Sequence, residues 1–255
     1  MSSNLNHPTG LHLFRPPYTD CEPITLGWSP EPIQPGGSVV WFMAPTSTVY
    51  GEMEWVTRRP RSLPFFVVLP EPDDIVALSG MLRHLPDLGP RGVLPRAGRT
   101  TIPALRTLLA APPTALPVAV GDYLEDTRIL PDPASRERVE RIFAEAAHVG
   151  SIEALATRLC QSRRTLGRFF HQRGLPVPSH WLQFARILHV AIQLQNTRTN
   201  INRVSARYNF PDGFTMSNAM KRLTGYRPSF VREHLGWEWI VEAWLRNERR
   251  GGTEG

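Results

Sequence analysis

The sequence predicts an α/β N-terminal module with a small parallel sheet, followed by an all-α C-terminal domain. Between residues 38 and 132, short apolar runs alternate with helix-like segments, as expected for strands joined by crossover helices. Beyond the proline-rich run PDP at 131–133, apolar side chains recur only at helical spacing. The charge changes there too: residues 1–133 carry 10 basic and 13 acidic side chains (net −3), whereas residues 134–255 carry 19 and 10 (net +9).

The N-terminal module is predicted to span residues 38–132, after an irregular, proline-rich lead-in over residues 1–37. Asp73 and Asp74 indicate the first turn of a helix that continues as IVALSGMLRHL, and TTIPALRTLLAA predicts another helix. Buried strands are predicted for three short apolar segments, VVWFMA at 39–44, FFVVL at 65–69 and GVL at 92–94.

The all-helical domain is predicted over residues 133–235 and begins with an amphipathic helix at 134–148. Ser151 is a candidate N-cap for a short second helix, and after the turn CQS Ser162 can cap a third. On that third helix the apolar side chains are expected to face inward, namely Leu166, Phe169 and Phe170. The other residues face outward: Arg163, Arg164, Thr165, Gly167 and Arg168.

Two short helices joined by a three-residue turn have the dimensions of a helix-turn-helix. Gly167 lies in mid-helix, where glycine lowers helix stability by about 1 kcal/mol relative to alanine. A close approach by a backbone or a groove wall would explain why glycine occurs there. A generic helical hairpin with a solvated charged face is the alternative for this unit taken alone. The pattern recurs, however, after a long helix predicted at 179–195, in a second unit that begins at Asn200.

The C-terminal domain resembles the DNA-binding domain of bacterial AraC/XylS-type transcription regulators over about residues 150–233. The resemblance rests on SIEALA, SRRTLxRxF, WLxxxRI, YNFPD, MKR and GYRPS. It implies two helix-turn-helix units, joined by the long helix, that enter neighbouring major-groove segments of double-stranded DNA. Two residues depart from the family pattern. Phe214 replaces a small polar residue at the start of the second reading helix, and Met216 replaces an aromatic core residue.

The candidate DNA-binding residues follow from this resemblance and from the basic charge. Arginine can hold guanine O6 and N7 with two parallel hydrogen bonds, while other cations neutralise phosphates without reading the sequence. The candidates are Ser162, Arg163, Arg164, Thr165, Gly167, Arg168, Arg203, Gly213, Phe214, Thr215, Ser217, Asn218, Lys221 and Arg222.

The N-terminal module resembles the last two strand–helix units of a response-regulator receiver, with VVWFMAP as the central strand. On that match the acceptor aspartate falls within residues 41–43, where no acid occurs, the hydroxyl residue falls at Pro70 and the lysine at Arg96. The resemblance implies a truncated, phosphorylation-dead receiver relative that forms a homodimer. An unrelated small α/β module is the alternative.

No catalytic, metal or cofactor motif is found: HExxH, a Cys/His cluster and a glycine-rich phosphate loop before a helix are all missing. We therefore expect no enzyme activity, no cofactor and no small-molecule ligand. Cys21 and Cys160 are isolated, which favours a reduced, cytoplasmic setting. No apolar run approaches the roughly 20 residues that a membrane helix needs.

Residues 236–255 predict an extra C-terminal amphipathic helix with a disordered tail. We expect its apolar stripe to dock onto the protein's own body rather than a membrane surface, because Glu238 and Glu242 lie on the polar face. The sequence as a whole predicts a sequence-specific transcription regulator. The alternative is a protein-interaction scaffold whose basic face binds acidic protein or RNA.

Overall fold

The computed structural model describes residues 8–15, 18, 20–25, 37–44, 49–60, 63–71, 76, 79–98, 101–196 and 199–251. The chain divides into two compact units, residues 1–111 with 234–236 and residues 112–233 with 237–255. The division falls well before the boundary predicted at 132/133. The reason is a helix that the sequence analysis did not identify: Leu116–Asp126 packs against the first predicted helix of the second unit.

The first unit contains a mixed sheet of five strands among its described residues, namely β1 Gly10–Phe14, β2 Cys21–Pro23, β3 Ser38–Phe42, β4 Phe65–Val68 and β5 Gly92–Leu94. Their order across the sheet is β2-β1-β3-β4-β5. The three predicted strands are present and parallel, with Val40 of β3 beside Phe66 of β4. The other two strands pair antiparallel, with Leu11 of β1 opposite Trp41.

Two expectations for the N-terminal part are therefore wrong. The sheet is mixed rather than parallel, and the lead-in over residues 1–37 contributes β1 and β2 instead of being irregular. The physical reason is pairing along β3: the backbone of β1 hydrogen-bonds to that strand, and burial of Leu11 and Leu13 stabilises it there.

The described residues of the first unit also form three α-helices. They are α1 Val49–Arg58, α2 Ser79–Leu82 and α3 Thr101–Ala110, with a 3-10 turn at Pro86–Leu88. Leu105 and Leu109 of α3 pack on Val40 and Phe66. The indole nitrogen of Trp41 donates a 2.7 Å hydrogen bond to the buried carboxylate of Glu52. Asp73 and Asp74 lie outside the described residues.

In the described residues of the second unit, every regular element is a helix. Its bounds are α4 Leu116–Asp126, α5 Pro133–Glu145, α6 Ile152–Arg158, α7 Arg163–His171, α8 Pro178–Asn196, α9 Ile201–Arg207, α10 Gly213–Thr224, α11 Pro228–His234 and α12 Trp237–Gly251. The core forms around α8, where Phe143, Phe170 and Phe184 surround the buried rings of Trp181 and Trp244.

An ion cluster joins α4 to α5. The guanidinium of Arg136 lies against the carboxylates of Asp122, Glu125 and Glu140, at 2.5 Å from Asp122 and 2.7 Å from Glu140. Hydrogen bonding to these carboxylates, Glu125 above all, raises the pKa of Arg136 above its ordinary value. These contacts explain why residues 112–132 belong with the second unit.

The C-terminal helix docks on the protein's own body, as expected. Trp244 of α12 stacks on Phe184 of α8, with ring centroids 4.2 Å apart and planes at 5°. Asn247 donates a 3.0 Å hydrogen bond to the carbonyl of Leu223 at the end of α10, and His180 lies 2.8 Å from Glu248. Residues 252–255, expected to be a disordered tail, lie outside the described residues. Among the residues that the structure describes, no helix is both long and apolar enough to cross a bilayer.

Candidate nucleic-acid interface

Two pairs of short helices in the second unit have the same turn. After α6, Cys160 adopts a left-handed backbone conformation (φ +54°), and the N–H of Gln161 donates to the carbonyl of Ala156. After α9, Asn209 has φ +61°, and the N–H of Phe210 donates to the carbonyl of Ser205. The same closure therefore ends α6 before α7 and α9 before α10.

Side-chain caps then start the helix that follows each turn. Ser162 accepts a 3.0 Å hydrogen bond from the N–H of Thr165, and its hydroxyl lies 2.8 Å from that of Thr165. Asp212 accepts a 2.6 Å hydrogen bond from the N–H of Thr215, and this bond lowers the pKa of Asp212. The predicted cap Ser162 is thus confirmed, as is Ser151, which caps α6. The hydroxyl of Ser162 therefore caps α7, and the hydroxyl of Thr165 lies against it.

The exposed side of α7 carries cations. Arg164 and Arg168 are exposed and lie one helical turn apart, and His171 continues the same side. Within the described part of the chain, neither arginine forms an ion pair. Arg163 differs, because its guanidinium lies 2.8 Å from the carboxylate of Glu153 on α6. Arg163 is therefore already paired within the chain, whereas Arg164 and Arg168 can bind a partner.

The inner side of α7 is only partly as predicted. Leu166 and Phe170 are fully buried. Phe169 is half-buried instead, and the guanidinium carbons of Arg138 and Arg173 each lie 3.7 Å from the centre of its ring. This stacking, together with a 2.8 Å ion pair from Arg173 to Asp132, ties α7 to the start of α5.

The two glycines among the candidates have opposite surroundings. A Cβ atom at Gly167 would meet no heavy atom within 4 Å, so packing within the chain does not require glycine there. A Cβ atom at Gly213 would lie 2.5 Å from Oδ1 of Asn202, which also accepts a 3.1 Å hydrogen bond from the Gly213 N–H. Gly213 is buried, and its small size lets α10 approach α9.

The exposed side of α10 carries fewer charges than that of α7. Phe214, Thr215 and Asn218 are exposed and Ser217 is half-buried. Lys221 and Arg222 are exposed in the last turn, where Arg222 also donates a 3.1 Å hydrogen bond to Gln183 of α8. Arg203 is exposed on α9.

Acidic groups near these cations are few, and most are already engaged. Residues 151–235 carry 13 basic and 3 acidic side chains, a net charge of +10. Glu153 pairs with Arg163, Asp212 caps α10, and Glu233 lies exposed on α11. The region therefore presents positive charge suited to a polyanion.

The sequence analysis missed two exposed residues near these helices, a histidine and an arginine. His171 follows Arg168 by three residues, and Arg207 follows Arg203 by four. The i, i+3 and i, i+4 spacing along each helix would have identified both. No three His, Cys, Asp or Glu side chains are grouped as metal ligands in the described ranges.

Residues 155–234 match a family model described as a helix-turn-helix domain. The matched segment runs from α6 to the end of α11, so it includes both pairs of short helices. The match supports a DNA-binding transcription regulator whose C-terminal part is of the AraC type. A search of the curated proteins found no match.

Proposed function

We propose that the protein is a sequence-specific transcription regulator whose α7 and α10 read two adjacent major-groove segments of duplex DNA. The observation that carries the proposal is the repeated helix–turn–helix geometry with its exposed cations. Two equivalent turns each lead into a capped helix with an exposed polar side. The family match over residues 155–234 supports the same function.

In this proposal α7 supplies most of the base recognition. Arg164 and Arg168 are exposed and without an ion pair in the described chain, so each can bind guanine O6 and N7. On α10, Asn218 is suited to adenine, while Lys221 and Arg222 neutralise phosphates together with Arg203 of α9. Ser162, Thr165 and Asp212 order the helix starts that would face the DNA.

The N-terminal unit has a different proposed role, that of a phosphorylation-dead receiver relative that joins two copies of the chain. The parallel strands β3, β4 and β5 support the resemblance, whereas antiparallel β1 and β2 occupy the rest of the sheet. Buried Trp41 and Phe42 stand where an acceptor aspartate would be, and Arg96 donates to the carbonyl of Pro8. Sedimentation of the full-length protein at micromolar concentration tests the dimer: a dimer supports this role, and a monomer contradicts it.

A competition assay tests the DNA-binding proposal. A labelled random-sequence duplex is bound by full-length protein and challenged with unlabelled duplex DNA, single-stranded RNA or polyglutamate. Duplex DNA should compete best, because the recognition helix of a helix-turn-helix fits the major groove of a double helix. Stronger competition by RNA or polyglutamate would instead support the scaffold function.

A further inference from the structure

An aromatic ring is exposed to water at the start of α10. Phe214 is 76% exposed, which is more than any other phenylalanine in the described ranges. Its neighbours are polar: Asp212 caps the helix and Thr215 is exposed beside it. A phenylalanine in this position gains nothing from the fold of the chain, so its apolar surface is available to a partner.

The first turn of α10 is anchored so that this ring faces outward. The N–H of Gly213 donates to Asn202 of α9, and the N–H of Thr215 donates to Asp212. Met216 is fully buried and occupies the inward position. The side of the helix that carries Phe214 therefore faces solvent.

Phe214 shares this side with two polar residues at helical spacing. Asn218 follows it by four residues and Lys221 by seven, and both are exposed. The apolar ring of Phe214 thus lies in line with two polar groups. The amide of Asn218 can pair with adenine, and the ammonium of Lys221 can reach a phosphate. Among the groups that base edges present in the major groove, the apolar one is the C5-methyl group of thymine.

We propose that Phe214 recognises the C5-methyl group of a thymine in the DNA segment under α10. This inference rests on the proposed function and adds the chemical group that the second reading helix selects. It predicts that one thymine of the binding site is chosen for its methyl group rather than for its hydrogen-bonding atoms.

Replacement of thymine by uracil tests the inference, because it removes that methyl group alone. Full-length protein first selects duplexes from a random pool, and each thymine of the selected site is then replaced in turn by deoxyuridine. Wild-type protein should bind about fourfold more weakly when one particular thymine is replaced, the equivalent of ~0.8 kcal/mol for a buried methyl-sized group. The Phe214→Ser variant should show no such loss at that position.

A matched control is Phe230→Ala, which removes an aromatic ring from α11 and should leave the uracil sensitivity unchanged. The thermal unfolding midpoint of Phe214→Ser should equal that of the wild type, since the ring is exposed. The inference is overturned if every uracil duplex binds as tightly as its thymine counterpart, or if Phe214→Ser keeps the wild-type sensitivity. Failure of the wild-type protein to enrich any duplex would overturn the proposed function itself, and this inference with it.

Discussion

The guanidinium of Arg186 donates a 2.6 Å hydrogen bond from Nη2 to the carbonyl oxygen of Val149. Arg186 is a buried residue of α8, and burial lowers its pKa. The side-chain amide of Asn209 also donates to the carbonyls of Val149 and Ala147, at 3.4 Å and 3.2 Å. The loop before α6 is therefore tied both to the connecting helix and to the turn between α9 and α10. These bonds hold the two pairs of short helices at one relative position.

We predict that Asn209→Gly relaxes the spacing that the protein requires between the two halves of its DNA site. Glycine keeps the left-handed backbone (φ +61°) but removes both hydrogen bonds to the loop before α6. Wild-type protein should lose most of its affinity when one base pair is inserted between the halves. Asn209→Gly should lose less, as measured with a series of duplexes of different spacing.

Cys160→Gly is the matched control for that experiment. Cys160 occupies the equivalent left-handed position (φ +54°) after α6, and its side chain is exposed. This variant should keep the wild-type spacing preference and should gain roughly 1 kcal/mol in unfolding free energy, because a left-handed conformation strains a residue with a side chain. Equal spacing preferences for Asn209→Gly and Cys160→Gly would contradict the assigned role of Asn209.

Gly167→Ala should separate folding stability from DNA affinity. A Cβ atom there enters open space, so the helix should gain about 1 kcal/mol from the better propensity of alanine. If a groove wall approaches α7 closely, the same methyl group should weaken binding to the selected duplex. Chemical denaturation and fluorescence anisotropy measure the two effects. Gly150→Ala is the control, because Gly150 also borders open space but lies outside α7, and this variant should leave the DNA affinity unchanged. If Gly167→Ala also leaves the affinity unchanged, no groove wall approaches α7 closely.

The cations of the two reading helices should differ in what they control. Arg164→Ala or Arg168→Ala should cost on the order of 1–3 kcal/mol in binding and relax preference at particular base pairs. Lys221→Ala should weaken binding to all sequences alike and lower its salt dependence, as loss of a phosphate contact does. Affinities for single-base variants of the site decide between the two behaviours. The assignment is reversed if the arginine variants weaken all sequences equally while Asn218→Ala changes the sequence preference.

His189 should make the stability of the second unit depend on pH. Burial lowers its pKa below the ordinary value of 6.5, and its Nε2 lies 2.9 Å from the carbonyl oxygen of Phe143. The unfolded chain therefore takes up a proton at His189 more readily than the folded chain does. The contribution of His189 to the free energy of unfolding is complete above pH 6.5 and decreases as the pH falls below that value, by at most ~1.4 kcal/mol per pH unit. His189→Gln should flatten the unfolding free energy between pH 7.5 and 5.5; an unchanged slope would contradict this.

Local chemistry made several features predictable from the sequence. Ser151 and Ser162 precede apolar residues at helical spacing, and a capping hydroxyl acts within three residues of its own position. Strands β3 and β4 were predictable because continuous apolar runs of that length are typical of buried parallel strands. The net charge of residues 151–235 indicated a polyanion as the partner, because a count of charged residues needs no knowledge of the fold.

Other features depend on tertiary contacts that composition does not show. Strand β1 is short and lies in a proline-rich region, so only its pairing with β3 reveals it. The pairing of Arg163 with Glu153 and the burial of Gly213 against Asn202 arise where neighbouring helices meet. Helix α4 was not predicted; its Pro117 lies in the first helical turn, where proline is tolerated.

The most direct test of the account is selection of binding sites from random duplex DNA by the full-length protein, followed by footprinting of the selected site. We predict two protected segments on one face of the duplex, with centres about one helical turn, roughly 10 base pairs, apart. The segment that depends on Arg164 and Arg168 should show the stricter sequence preference. Enrichment of no defined motif, or a single protected segment unaffected by changes in α10, would contradict the claim that two helices read the DNA.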